Sequence, residues 1–263
     1  MVEIRLLQKN KEKTQVSFLI KKITPAYANS LRRFMVNRVP VMAIEDIEFK
    51  KNSSALYDEI VAHRLGLIPL KTDLKSYNLP AACKCENKGC AQCQAKFTLK
   101  TKGPCTVYAE DLKAKDPEIV PVHDKIPIVK LAKGQELELE ATAVLGMGKS
   151  HVKWSPCHVW YTYEPLIEVN NDSAQFEQHK ALYPPQIFDK KGKIDKKLII
   201  DNNLVDACDG VCEDVVKVTY NQENIIFNVE SWGQLDVKTI VKRALAYFNT
   251  TLDELASHVK NLP

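Results

Sequence analysis

Long apolar runs are missing from this chain. No stretch of its 263 residues approaches the roughly 20 apolar residues a membrane span needs. The opening Met-Val-Glu-Ile-Arg has no signal-peptide pattern, so a cytoplasmic protein with no membrane partner is expected. Strong charge of one sign is also missing. The 37 Lys and Arg against 33 Asp and Glu leave a net charge of +4. That is too mild to argue by itself for nucleic-acid binding, which goes with a denser basic face. Catalytic signatures are scarce as well, with no His-Glu-x-x-His and no Gly-x-Ser-x-Gly. Gly146-Met147-Gly148-Lys149-Ser150 looks like the end of a phosphate loop. However, Ala143 stands where the first glycine belongs, and His-Val-Lys-Trp-Ser-Pro follows where a helix should start. The acidic stretch from Asp206 to Asp214 lacks the alternating ligands of a calcium loop. His63, His123, His151, His158, His179 and His258 are scattered, without an obvious partner carboxylate or thiol. Nothing here proposes an active site.

What the chain does have is cysteine. In a reducing compartment its eight cysteines point to metal binding before disulfides. Four of them, Cys83, Cys85, Cys90 and Cys93, fall within eleven residues. Four thiolates this close can close a tetrahedral shell around one structural Zn²⁺, leaving no open position. Gly89 lets the loop turn back, and Lys84, Lys88 and Lys96 can offset the net charge of about −2 on a tetrathiolate zinc. The spacing from Cys83 to Cys85 is tighter than the usual C-x₂₋₄-C, so a redox-active or incidental thiol cluster stays open as the alternative. Cys208 and Cys212 share a face if they lie on a helix. Two ligands do not make a metal site, and the pair reads as ordinary thiols or a disulfide. Cys105 and Cys157 are far away in sequence.

The periodicities predict a mixed α and β protein. Val2 to Leu7 and Thr14 to Ile23 are strand-like, the latter alternating Val16, Phe18 and Ile20. Thr24 is an N-cap and Pro25 a first helical residue. The helix they open carries Tyr27, Leu31, Phe34 and Met35 on one face, with Arg32 and Arg33 beside it, and ends before Pro40. The region from about residue 50 to 163 reads as a mostly β insert. It has a short helix around Tyr57 to Leu65 and strands at Lys96 to Lys100, Glu136 to Leu145 and Cys157 to Tyr163. A third unit, 165–222, holds a helix candidate from Asp172 to Leu182 and a solvated loop containing Lys190, Lys191, Lys193, Lys196 and Lys197. Two strands, Val215 to Tyr220 and Ile225 to Glu230, are expected to be joined by Asn-Gln-Glu-Asn. From the N-cap candidate Asp236, the residues Val237, Ile240, Val241, Ala244, Leu245 and Phe248 recur at helical spacing, and Leu252, Leu255, Ala256 and Val259 extend the stripe. Periodicity alone leaves open whether this stripe meets the chain's own sheet or another subunit, and slightly favours the former.

Several of these segments together resemble the α-like subunits of multisubunit DNA-directed RNA polymerases. They are Ala62-His-Arg-Leu-Gly-Leu-Ile-Pro-Leu70, the helix from Thr24 to Phe34 placed after two strands, and the runs beginning at Tyr108, Ile126 and His151, which are similar to the archaeal D-type form. The resemblance covers essentially the whole chain. It implies an α+β fold with a discontinuous dimerisation domain (1–49 plus 223–263), a β-rich insert domain with a zinc loop (50–164) and a small ferredoxin-like domain (165–222). It implies a non-catalytic assembly platform that forms a heterodimer with a small L subunit and then binds subunits N and P and the large catalytic subunits. The nucleotidyltransferase chemistry belongs to the whole polymerase, with no sequence-specific nucleic-acid contact expected from this chain. The implied partner interface comprises Tyr27, Leu31, Phe34, Ile240, Val241, Ala244, Leu245 and Phe248, which shifts the reading of the terminal stripe towards another subunit. The zinc loop maps onto Cys83, Cys85, Cys90 and Cys93. Many archaeal relatives carry an iron–sulfur cluster in the third domain. Here residues 165–222 hold only Cys208 and Cys212, so no cluster is expected. Two alternatives come from other classes. A free-standing zinc-containing nucleic-acid-binding protein would need aromatics interleaved with a basic groove, which Phe97 and Tyr108 do not supply. A redox enzyme built on Cys208 and Cys212 lacks the C-x-x-C motif.

Overall fold

The computed structural model describes residues 3–260, so Val2 of the first expected strand lies outside the described residues. The elements run β1 (Glu3–Lys9), β2 (Gln15–Lys21), α1 (Pro25–Asn37), β3 (Val41–Asn52), α2 (Asp58–Gly66), β4 (Gln94–Lys102), β5 (Cys105–Tyr108), β6 (Lys113–Ala114), β7 (Pro127–Leu131), β8 (Glu136–Gly146), β9 (Cys157–Val169), α3 (Phe176–His179), α4 (Lys196–Asp201), α5 (Val205–Cys208), β10 (Val216–Ser231) and α6 (Val237–Lys260). The sheets have the strand orders β1-β2-β10-β9, β3-β8-β4-β6 and β5-β7. The fold is thus mixed α and β with several sheets. No helix among the described residues is long and apolar enough to cross a membrane.

The chain divides into two compact units. The larger comprises residues 6–17, 29–160 and 228–260. Its main core is built around β8, whose Leu137, Leu139, Ala141, Ala143 and Leu145 are buried while the residues between them are only partly so. That is the alternation the sequence predicts, and pleating puts these five side chains on one face. Across the antiparallel ladders, Phe97 of β4 and Ile47 of β3 both stand opposite Ala141, and Leu99 and Phe49 both stand opposite Leu139. At Ala141 a small side chain therefore faces large ones in the same layer. Helix α2 adds Val61 and Leu65, and the segment after it adds Ile68 and Leu70. The Ala62–Leu70 motif is thus spent largely on packing.

The smaller unit comprises residues 3–5, 18–28 and 161–227. The rings of Phe18 and Phe227 stack with centroids 5.5 Å apart. A separate core gathers Ile167, Phe176, Tyr183, Ile187, Ile199, Cys208 and Val216. Thr24 caps α1 as expected, its hydroxyl accepting from the Tyr27 backbone N–H at 3.3 Å.

Three local expectations change. Asn221-Gln-Glu-Asn224 is not a turn but the middle of one continuous strand, β10. Local sequence makes these polar residues look like a loop, yet neighbouring segments take up their hydrogen-bonding groups. Ile23 N–H donates to the Glu223 carbonyl at 3.0 Å, and the Asn224 amide donates to Glu164 at 2.6 Å. The helix expected from Asp172 to Leu182 shrinks to the single turn α3 followed by a 3₁₀ turn at Lys180–Leu182. Asn170 and Ser173 side chains accept backbone N–H groups at its start, in competition with helix formation. Cys208 and Cys212 do not share a helix face, because α5 ends at Cys208 and Asp209 is already extended.

Candidate functional site

The cysteine loop lies in the larger unit, between the 3₁₀ turn Pro80–Ala82 and the start of β4. Its backbone folds back through three residues of positive φ: Glu86, Asn87 and Gly89, at 52°, 66° and 81°. Asparagine and glycine are the residues that adopt this conformation most readily. A second tight turn follows, in which Cys93 and Gln94 both donate backbone N–H groups to the Cys90 carbonyl, at 3.0 and 2.9 Å. The two turns present four sulfurs to one point, all within 4.8 Å of one another.

Zinc bound to four thiolates at about 2.3 Å requires sulfurs about 3.8 Å apart along the edges of the tetrahedron. The measured separations are 3.6 Å for Cys83–Cys90, 3.6 Å for Cys85–Cys93 and 3.7 Å for Cys90–Cys93. The donor set therefore fits one structural zinc, with every position taken by protein. Among the described residues these four make the group of cysteine, histidine and acidic side chains able to hold a metal. Cys83 and Cys93 are buried and the other two are half-buried. Burial pushes the Cys93 thiol up to about 12, while the hydrogen bond with Cys83 draws Cys85 down to about 7. Four crowded thiols cannot all ionise without a cation among them, so metal binding expels protons from the loop.

The lysines expected to offset the site's charge do less than the backbone. Lys88 is highly exposed and faces Glu86 at 3.6 Å, a solvated pair of little weight. Instead, the Cys90 N–H points at the Cys93 sulfur at 3.3 Å. Two contacts that local sequence does not signal brace the loop. Asn78 N–H donates to the Gln92 carbonyl at 2.8 Å, closing its base. The buried Tyr77 donates its hydroxyl to Asp116 at 2.6 Å across 39 residues of chain.

Of the residues expected at a partner interface, Leu31, Ile240 and Ala244 are fully buried within the chain. Phe34, Val241, Leu245 and Phe248 are half-buried, and Tyr27 is 40% exposed. Asp236 caps α6, accepting from the Thr239 N–H at 2.9 Å and the Thr239 hydroxyl at 2.7 Å. Beyond Thr250 every residue of α6 is exposed, including Leu252, Leu255 and Val259. The remaining sulfurs are not gathered: Cys157 is buried against the Met35 carbonyl, Cys105 lies near the Lys102 carbonyl, and Cys212 faces Gln175. Gly146 to Ser150 leads into a 3₁₀ turn at Val152–Trp154, without the helix N-terminus a phosphate loop needs.

Residues 43–156, which contain the cysteine loop, match the family described as the RNA polymerase Rpb3/RpoA insert domain. Over its full length the chain is similar to DNA-directed RNA polymerase subunits Rpo3. The subunit from Archaeoglobus fulgidus is 36% identical, with 100% of this chain and 99% of the relative covered. The one from Pyrococcus furiosus is 34% identical, with 99% and 98% covered. The one from Methanosarcina acetivorans is 36% identical, with 93% and 94% covered. Together with a zinc-binding loop inside the matched insert, this full-length likeness places the chain in the Rpo3 family of DNA-directed RNA polymerase subunits.

Proposed function

We propose that the chain is the archaeal D-type member of this family and acts as the non-catalytic assembly platform of a cytoplasmic RNA polymerase. Its first partner is a small L-like subunit, followed by subunits N and P and the large catalytic subunits, which carry the nucleotidyl-transfer chemistry. The observation that carries this reading is the division of α6. Its first half buries Val237, Ile240 and Ala244 in the chain, whereas its second half holds Leu252, Leu255 and Val259 out in solvent at 47%, 59% and 56% exposure. An amphipathic helix whose apolar stripe outruns its own core is suited to pairing with another helix. On this reading the α-like dimerisation part is discontinuous (1–49 plus 223–263), the zinc-bearing insert spans 50–164, and 165–222 is a ferredoxin-like part without an iron–sulfur cluster. Support for the last two boundaries comes from the insert match at 43–156 and from the separate apolar core around Ile167 and Ile199.

Co-expression tests it. The tagged chain and the small subunit should elute as a soluble 1:1 complex, whereas the chain alone should self-associate. A well-behaved monomer that ignores the small subunit would overturn the platform reading.

A further inference from the structure

A polar concavity of about 430 Å³ lies where the last turns of α1 meet the turn after β8 and the middle of α6. Three cations line it, Arg33, Arg38 and Lys149, and no acidic residue does. None of the three is ion-paired among the described residues, in contrast to ten other lysines that have carboxylate partners. Arg32, the neighbour on α1, is already satisfied by Asn29 at 3.0 Å. The cations are also held in place. A Cβ on Gly148 would come within 2.3 Å of the Val36 carbonyl oxygen, so only glycine lets this turn press against the helix. Lys149 N–H donates to the Asn37 carbonyl at 3.0 Å, which anchors its backbone and leaves its ammonium available. Three unneutralised charges converging on one hollow repel one another unless an anion enters, and arginine grips carboxylates in a two-pronged hydrogen-bonded pair.

We propose that this hollow receives an acidic segment of another polymerase subunit, whose Asp or Glu carboxylates pair with Arg33, Arg38 and Lys149. The inference rests on the assembly reading and deepens it. A protein ligand fits better than nucleic acid. The charges are confined to one concavity, not spread in a stripe, and the chain carries a net charge of only +4. Exposed Thr251 at the rim and the half-buried Phe34 give the hollow a mixed polar and apolar lining of the kind protein interfaces use.

The test uses the assembled polymerase. A zero-length carbodiimide, which joins an amine to a carboxylate, should link Lys149 to an acidic residue of another subunit, located by mass spectrometry of the cross-linked peptide. The double variant Arg38→Gln, Lys149→Gln should keep its zinc and its heterodimer yet bind the rest of the polymerase at least tenfold more weakly, with a flatter salt dependence. Two results overturn the proposal: an unlinked Lys149 in assembled polymerase, or a double variant that holds its partners at wild-type salt. A variant that loses only nucleic-acid retention also overturns it. If even the wild-type chain fails to join polymerase subunits, the assembly reading falls and this inference falls with it.

Discussion

The rings of Phe34 on α1 and Phe248 on α6 meet with centroids 4.9 Å apart and planes tilted by 48°. This contact marks where α6 changes role. Before it the helix buries Ile240 and Ala244; beyond Thr250 it buries nothing of its own. A tilted aromatic pair contributes about 0.5–1.5 kcal/mol beyond its buried area, so Phe34 and Phe248 fasten α6 at the point from which its exposed half projects.

The exposed half gives a clean test of the heterodimer. Leu252→Asp and Leu255→Asp alter side chains already in solvent, so the chain's own thermal stability should change by less than about 0.5 kcal/mol. If a partner covers them, burying an unpaired carboxylate costs several kcal/mol. The heterodimer should then weaken by at least about 100-fold, at tenfold per 1.4 kcal/mol. Size-exclusion chromatography of co-expressed pairs reads both effects. Wild-type co-elution of both variants would remove this helix from the interface.

Metal analysis should find one zinc per chain and no iron. Cys90→Ser with Cys93→Ser removes two of the four sulfurs gathered in the loop and should reduce the zinc to background. The insert should loosen, seen as faster proteolysis near residues 83–93, while the heterodimer persists. Zinc content unchanged by the double substitution would contradict the assignment.

Tyr77→Phe deletes the 2.6 Å hydrogen bond to Asp116 and should cost about 1–2 kcal/mol in chemical denaturation. It should also alter alkaline behaviour. Burial first, and then the hydrogen bond and charge of Asp116, hold the Tyr77 phenol above its ordinary value. The fold thus favours the protonated phenol. Its contribution is complete below about pH 10 and is lost as pH rises beyond that. Stability of the wild type should fall more steeply above about pH 10 than that of Tyr77→Phe, and parallel curves would exclude this residue as the source.

Gly146→Ala should destabilise the larger unit by about 1–3 kcal/mol through overpacking. An added Cβ would meet the Trp154 ring at 2.3 Å, and that ring is held by its own N–H bond to the Val144 carbonyl at 3.2 Å. Thermal unfolding measures it. A neutral result would mean that Trp154 moves freely.

The features set by neighbouring residues were legible in the sequence. The four cysteines are close enough along the chain that a short loop must bring them together. The alternation of β8, the caps Thr24 and Asp236 and the run of α6 depend on spacings of a few residues, which propensity and periodicity read directly. Features that depend on which segments become neighbours were not legible. Asn221 to Asn224 read as a turn until segments on either side supplied partners for a polar strand. The bracing of the zinc loop by Tyr77 needed Asp116, 39 residues away. The terminal stripe looked uniform, and only the packing of α6 divided it into a buried half and an exposed one. The cationic hollow required Arg38 and Lys149 to be brought together from distant parts of the chain. Local geometry is dictated by bond rotations within a few residues, but burial and charge convergence are properties of surfaces that exist only once distant segments have packed.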